Sequence, residues 1–249
     1  MVAFDVAPSG RVAVLAGRRL SVEGGAAPLA IDLAFAGRRC RFRGEEIVVL
    51  GAASELASIA EDGTVRGTAR VRTDARDVAV LPSGSVLVSY GPAAGVTLER
   101  FGDQPCVFKD AALLDATCLA AESGGVWVLG TAAEAPLSRA VRLRPVPEGF
   151  RVRDVVALPA PPRAAAVGPD NALYVLVEPG TAVVRVDAGQ ASEPGRLAGP
   201  LRGLARHGRR LLGRGDAGVE DLTRLVPVAP PRGAPPPLPP CGPSDPCEP

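Results

Sequence analysis

Six times along the chain an apolar stretch runs into a tight turn holding Gly or Asn, then into a β-rich run that ends in Gly. The copies are DVAPSGRVAVLAG from Asp5, CRFRGEEIVVLG from Cys40, DVAVLPSGSVLVSYG from Asp77, CLAAESGGVWVLG from Cys118, AAAVGPDNALYVLVEPG from Ala164 and LRGLARHGRRLLGRG from Leu201. Their turn residues, Gly10, Gly44, Gly84, Gly124, Asn171 and Gly208, are 34, 40, 40, 47 and 37 positions apart. A period of this length marks a repeat architecture, in which no unit can bury its apolar faces alone.

The unit itself is β. Ser-Gly, Asp-Asn and His-Gly place a residue tolerant of positive φ where two antiparallel strands reverse. Runs such as IVVL, SVLVSY and ALYVLV are apolar on both faces, as strands covered from both sides are. Each pair is followed by a more amphipathic third run (RRLSVE, ELASIAEDG, GVTLERFG, SRAVRLR, AVVRVDAG, VEDLTRLV) and in most copies by a variable fourth. Two buried strands, a half-exposed third and a loose outer fourth describe a propeller blade. The expectation is an all-β, six-bladed β-propeller over 1–228, with a proline-rich extended arm over 229–249. Blade six runs from VEDLTRLVPV into APPRGAPPPLPPCGPSDPCEP, and proline cannot donate to a ladder. MVAFDV is needed as the first inner strand of blade one, so no strand is spare to complete blade six. The last blade is therefore expected to be incomplete, or closed by packing alone, with an open outer edge.

The stretches DVAVLPSGSVLVSY and AAAVGPDNALYVLVEPGTAVVRVD resemble blades of the NHL-type and gluconolactonase-type propeller superfamily, over about nine-tenths of the chain. The Gly-His and Trp-Asp hallmarks of WD repeats do not recur. The resemblance implies a site at one mouth of the central channel, where lactonase-type members hold a divalent cation with a Glu, an Asn and an Asp from different blades. Hard cations want such converging oxygens. Here Asp5 and Asp77 read as equivalent inner-strand positions, matched elsewhere by Thr117, Ala164 and Gly203, and Asn171 serves a turn. The two carboxylates read as strand-end caps, and neither a metal nor another cofactor is expected. A second, looser resemblance is to accessory propellers of phage-tail-like contractile particles.

Other candidate groups read as structure. His207 stands in a turn without a partner to make it a general base. Ser9, Ser83 and Ser123 lie in turns or loops outside any G-x-S-x-G elbow. Trp127, Tyr90 and Tyr174 fall on second strands, where large side chains fill the space between blades. Arginine doublets at 18–19, 38–39 and 209–210 read as solvated edges. No catalytic residue is assigned.

Charge and cysteine content bound the partners. With 28 basic against 27 acidic residues, neither nucleic acid nor an anionic membrane is suggested. No apolar run reaches the roughly 20 residues of a membrane helix. The N-terminus lacks the pattern of a signal peptide, so a cytoplasmic location is expected, with a place in a particle as a variant. In a reducing cytosol the five cysteines read as thiols rather than zinc ligands or bridges. From 227 to 249 proline makes up nearly half the residues, favouring polyproline II. Pro235, Pro236, Pro237, Leu238, Cys241 and Cys247 are the candidate partner-binding residues of this arm. Three readings of function stay open: a non-enzymatic structural or protein-interaction component of a larger assembly, a metal-dependent lactonase-like hydrolase, and a small-ligand or carbohydrate-binding module.

Overall fold

The computed structural model of the chain describes residues 2–25, 28–60, 62–91, 96–102, 106–110, 115–132, 138–147 and 149–227. Within these residues the six repeats form six antiparallel sheets set in a ring. Blade 1 holds β1 (Val2–Val6), β2 (Val12–Ala16), β3 (Arg19–Glu23) and β4 (Leu29–Asp32). Blade 2 holds β5 (Gly37–Arg43), β6 (Glu46–Gly51), β7 (Glu55–Ile59) and β8 (Val65–Arg70). Blade 3 holds β9 (Ala75–Val80), β10 (Val86–Tyr90), β11 (Val96–Phe101) and β12 (Cys106–Asp110). Blade 4 holds β13 (Asp115–Glu122), β14 (Gly125–Thr131), β15 (Ser138–Val146) and β16 (Gly149–Leu158). Blade 5 holds β17 (Pro162–Val167), β18 (Leu173–Val177), β19 (Ala182–Asp187) and β20 (Gln190–Arg196). Blade 6 has three strands, β21 (Leu201–His207), β22 (Arg210–Gly215) and β23 (Gly218–Asp221).

Burial follows the sequence pattern. The second strands β10 and β18 are buried at every position, while β8 on the outside of blade 2 is almost wholly exposed. Tyr90 and Tyr174 are fully buried between blades, their hydroxyls donating to Glu99 (2.7 Å) and Asp170 (3.0 Å). Each tyrosine thus removes a large ring from water without stranding its polar tip.

The inner hairpins come in two kinds, and they alternate. Blades 1, 3 and 5 turn through three residues, Pro8-Ser9-Gly10, Pro82-Ser83-Gly84 and Pro169-Asp170-Asn171, closed by the N–H groups of Ala7, Leu81 and Gly168. Gly10 and Gly84 sit at φ 91° and 83°, and Asn171 at 61°, a region that glycine and asparagine tolerate best. Blades 2, 4 and 6 turn through two residues, pairing Arg43 with Glu46, Glu122 with Gly125 and His207 with Arg210. The ring is therefore also three two-blade units.

Every inner strand from the second blade on opens with a bulge, where one residue is skipped by the pairing register. The skipped residues are Arg38, Arg76, Thr117, Arg163 and Arg202. A bulge bends the strand and re-aims its side chain.

Closure is by packing. Strand β1 lies against β21, and Phe4, Val6 and Ala205 form a small buried cluster there. Gly203 makes this approach possible: a Cβ on it would stand 2.9 Å from the Phe4 ring. Among the described residues no strand from one chain end joins the other end's sheet. The third strand of blade 6 is shorter than the sequence suggests. After Asp221 the chain leaves the sheet in a 3-10 turn (Thr223–Leu225). Thr223 Oγ1 accepts the Leu211 N–H, and Leu222, Leu225 and Val226 swing into the core between blades 5 and 6.

Phe4→Ala should cost about 3–5 kcal/mol of unfolding free energy in a urea titration, because the closing seam loses its one large side chain. Gly203→Val should be similarly damaging through overpacking against that ring.

Candidate functional site

On each inner strand alternate residues face the next blade, and these stack as rings around the tunnel. The upper ring, near the strand starts, is Ala3, Arg39, Asp77, Cys118, Ala164 and Gly203, around a void of about 30 Å³. The lower ring, nearer the turns, is Asp5, Arg41, Ala79, Ala120, Ala166 and Ala205, around a cavity of about 320 Å³ that opens at the turn end. Asp5 and Asp77 are therefore not equivalent. Asp5 lies two residues before the turn-opening Ala7, and Asp77 lies four before the turn-opening Leu81. One pleat separates them.

Neither carboxylate caps its own strand end. An innermost strand pairs on one side only, so its tunnel-side N–H groups need acceptors. Asp5 Oδ2 accepts the N–H of Phe42 on blade 2 at 2.7 Å, and Asp77 Oδ2 accepts that of Leu119 on blade 4 at 2.8 Å. Asp77, only 2 % exposed, also accepts from Val78 N–H and faces Arg39 Nε at 3.3 Å and Arg41 Nη2 at 3.8 Å. Ser89, buried beside it, accepts the Asp77 N–H at 3.1 Å and donates to Ala116 O of blade 4 at 3.2 Å. Thr117 Oγ1 makes the same kind of step, donating to Pro162 O of blade 5 at 3.4 Å. These groups tie blade to blade.

The tunnel is thus lopsided. Within the two rings, blades 1 to 3 contribute Asp5, Arg39, Arg41 and Asp77 (with Ala3 and Ala79), whereas blades 4 to 6 contribute only Cys, Ala and Gly. Burial pushes the Asp5 carboxyl above its ordinary value, against the opposing pull of Arg41 and the Phe42 and Val6 N–H groups. Burial also works against the charge on Arg41, but Asp77 and Asp5 outweigh it and hold that guanidinium above its usual range. The thiols of Cys40 and Cys118 are pushed up to about 12 by burial, so both are neutral, poor nucleophiles.

A lactonase-type cation does not fit these residues. The places a cation would take beside Asp77 are held by two guanidiniums, and four alanines flank Asp5 and Arg41 in the lower ring. Asn171 stays at the cavity rim with Ser123, Glu122 and Arg206. Glu122 is itself held by Arg142 (2.7 and 2.9 Å) and by Trp127 Nε1–H (3.2 Å). Among the described residues no three His, Cys, Asp or Glu side chains converge as a metal cradle.

Of the other sequence candidates, Ser9 accepts from Arg11 and Ser83 donates to Ser85, both within exposed turns. His207 closes the β21–β22 turn, against Gly10 of blade 1. The doublet at 38–39 is not a solvated edge. Arg39 pairs with Asp77, and Arg38 donates to Ala75 O of blade 3. Pro235, Pro236, Pro237, Leu238, Cys241 and Cys247 lie outside the described residues. Sequence reasoning missed Arg41, Arg163, Arg202 and Glu122. The signal for two of them was present, since four repeats start with Arg one residue after Gly37, Ala75, Pro162 or Leu201.

No family model and no curated protein matches this sequence. Among solved structures the chain is similar to a gluconolactonase from Xanthomonas campestris (15% identity, TM-score 0.66, 85% of this chain and 81% of that one). It is also similar to a catalytically inactive virginiamycin B lyase from Staphylococcus aureus with quinupristin (13%, 0.64, 88% and 83%). A third is the WD40 propeller domain of Doa1 (10%, 0.65, 88% and 77%). At these identities the likeness establishes the propeller fold, which enzymes and non-enzymes share. Among the described residues no helix is long and apolar enough to cross a membrane.

Asp77→Ala should cost roughly 3 kcal/mol by denaturant titration, because two guanidiniums and the Leu119 N–H lose their partner. Asp216→Ala, at an exposed ion pair with Arg202, should leave stability unchanged within error. For Asp5 the sign is opposite to that of an ordinary paired carboxylate. Its raised pKa means the folded state holds the proton more tightly, so its contribution to stability falls as pH rises above 3.8. Asp5→Asn should therefore gain on the parent chain between pH 4 and pH 7, read as paired unfolding titrations.

Proposed function

We propose that this chain is a non-enzymatic β-propeller acting as a structural, protein-interaction component of a larger assembly. The observation that carries this reading is the commitment of the tunnel carboxylates. Asp5 and Asp77 each accept the backbone N–H of a neighbouring blade, and Glu122 is clamped by Arg142 and Trp127. A general base must reach a substrate proton, and a metal ligand must present a lone pair to the ion. These side chains hold the ring instead. The outer edge of β23, unpaired among the described residues, would accept an extended partner, and the proline arm, through Pro235, Pro236, Pro237, Leu238, Cys241 and Cys247, is the second proposed binding element. None of the similar structures described above belongs to a phage-tail-like particle, so the proposal rests at a protein partner.

The competing reading is a metal-dependent lactonase-like hydrolase with its site at the channel mouth. One observation favours it: Asp5 faces the 320 Å³ cavity with its carboxyl raised by burial, as a general acid would be.

Removing residues 229–249 should leave the unfolding transition of the propeller unchanged and lower the number of chains per native particle in light scattering. An unchanged number of chains would count against the arm. Stoichiometric calcium or zinc retained after dialysis, with hydrolysis of a lactone panel lost in Asp5→Asn, would replace the proposal with the hydrolase.

A further inference from the structure

The cavity at the turn end of the tunnel is a cup. It holds about 320 Å³, and above it the tunnel narrows to the void of about 30 Å³ beside Arg39, Asp77 and Cys118. The four charged residues that line the cup are all engaged. Asp5 accepts the Phe42 N–H, and Arg41 donates to Cys40 O and faces Asp77. Glu122 is held by Arg142, and Arg206 donates to Gly208 O. Two arginines against two acids also cancel. No side chain there asks for a charged ligand. The lower ring is otherwise Ala79, Ala120, Ala166 and Ala205, whose small side chains leave the backbone bare.

What remains is hydrogen-bonding backbone. In an antiparallel hairpin alternate residues bond the partner strand, and those between them turn N–H and C=O the other way. On β17 the Gly168 N–H bonds Ala172 O, so Ala166 is the next residue bonded to β18, while Ala165 and Val167 face the tunnel. The same count puts Phe42 and Leu119 on the tunnel side, where Asp5 and Asp77 accept them. Among the described residues no side chain does this for Ala165 or Val167, although both are buried and line the cup. Buried backbone groups of this kind need a partner, from water or from a ligand. In the bare half of the ring β17 is the best-suited edge. On β13 the Leu119 donor is already taken, and on β21 one of the facing residues is Arg206, whose charge stands at the rim.

We propose that the cup receives an extended segment of a protein partner, uncharged and with small side chains, hydrogen-bonded as an added strand to the tunnel edge of β17. The occupant follows from hydrogen bonding, charge and size. Ala165 and Val167 stand about 6.6 Å apart, the spacing of alternate residues in a strand, so the matching segment is about three residues long. The cup has the volume of about ten water molecules, enough for such a segment when its side chains are small. Main-chain bonds supply the affinity, as when an extended peptide adds to any open sheet edge. A charged segment would bring its charge to a wall with no free counter-charge. The inference rests on the protein-interaction reading above and names what the partner inserts.

The test uses the full chain and three probes labelled at the C-terminal end and followed by fluorescence polarisation. They are an N-acetylated peptide of alternating alanine and glycine, the same peptide N-methylated at every residue, and pentaglutamate. The plain peptide should bind with an affinity insensitive to salt, because no charge is paired. N-methylation should weaken it roughly tenfold, since the strand loses its donors. Ser123→Trp, on the exposed turn at the rim, should weaken it likewise, whereas Ser83→Trp, on the blade 3 turn outside the cup, should not. Bound peptide should slow amide exchange at Ala165 and Val167 and leave Ala166 unchanged. No binding of the plain peptide, equal binding of the N-methylated one, tighter binding of pentaglutamate, or an equal loss in Ser83→Trp would overturn the proposal. So would displacement of the peptide by glucose, which would make the cup a small-molecule site. If the peptide fails while removal of residues 229–249 still lowers the number of chains per particle, the cup is wrong and the interaction reading stands. If the peptide binds while that truncation changes nothing, the arm is wrong and the cup stands.

Discussion

A blade of this ring has two apolar faces, and water is removed from both only when a neighbour stands on each side. Val88 in β10 and Val175 in β18 are wholly buried because blades lie before and behind them. The first and last blades must therefore meet as closely as any other pair. Here that duty falls on Phe4 and Val6 of β1, Ala205 of β21 and the missing side chain of Gly203. Many closed β architectures remove their edges with hydrogen bonds. In this chain the seam is hydrophobic, and the edge of blade 6 ends in a turn that pins Leu222, Leu225 and Val226 to the neighbouring core.

The same geometry sets the chemistry of the tunnel. Radial stacking makes each inner strand an edge strand, with N–H groups facing the lumen and no strand there to accept them. A carboxylate from the preceding blade is one answer, used by Asp5 for Phe42 and by Asp77 for Leu119. With buried Asp77 and half-buried Asp5 in the wall, arginines supply the counter-charge: Arg39 and Arg41 both face Asp77, and Arg41 also feels Asp5. The ionic half of the tunnel is thus a consequence of closing a ring of strands. Blades 4 to 6 set only small residues, Ala120, Ala166 and Ala205, in the lower ring, which leaves that cavity open.

Much of this was legible in the residues. The turn chemistry of Gly10, Gly84 and Asn171 located the hairpins, and the two-faced apolar runs located the second strands. Proline after Val226 foretold a last blade without a fourth strand. The alternation of three-residue and two-residue turns was written in PSG, PSG and PDN but hidden by unequal spacings. What sequence did not yield was register. DVAPSG and DVAVLPSG look alike, yet the two extra residues move Asp77 one pleat up the tunnel from Asp5. Bulges escaped for the same reason, since a skipped residue leaves no mark in an apolar pattern. Arg38 and Arg39 therefore read as a surface doublet, although Arg39 reaches a buried acid and Arg38 a neighbouring blade. Contacts between blades depend on the pairing within them, and pairing is the level that composition and period do not reach.

The central claim is that the acids of the tunnel belong to the backbone of their neighbours. Residue-resolved amide hydrogen exchange of Phe42 and Leu119 addresses it directly. The account predicts that both amides exchange among the slowest in the chain, and that Leu119 alone is released in Asp77→Ala. Fast exchange of both in the parent chain, slowed by added calcium or zinc, would mean that the carboxylates are free for a ligand and that the account is wrong.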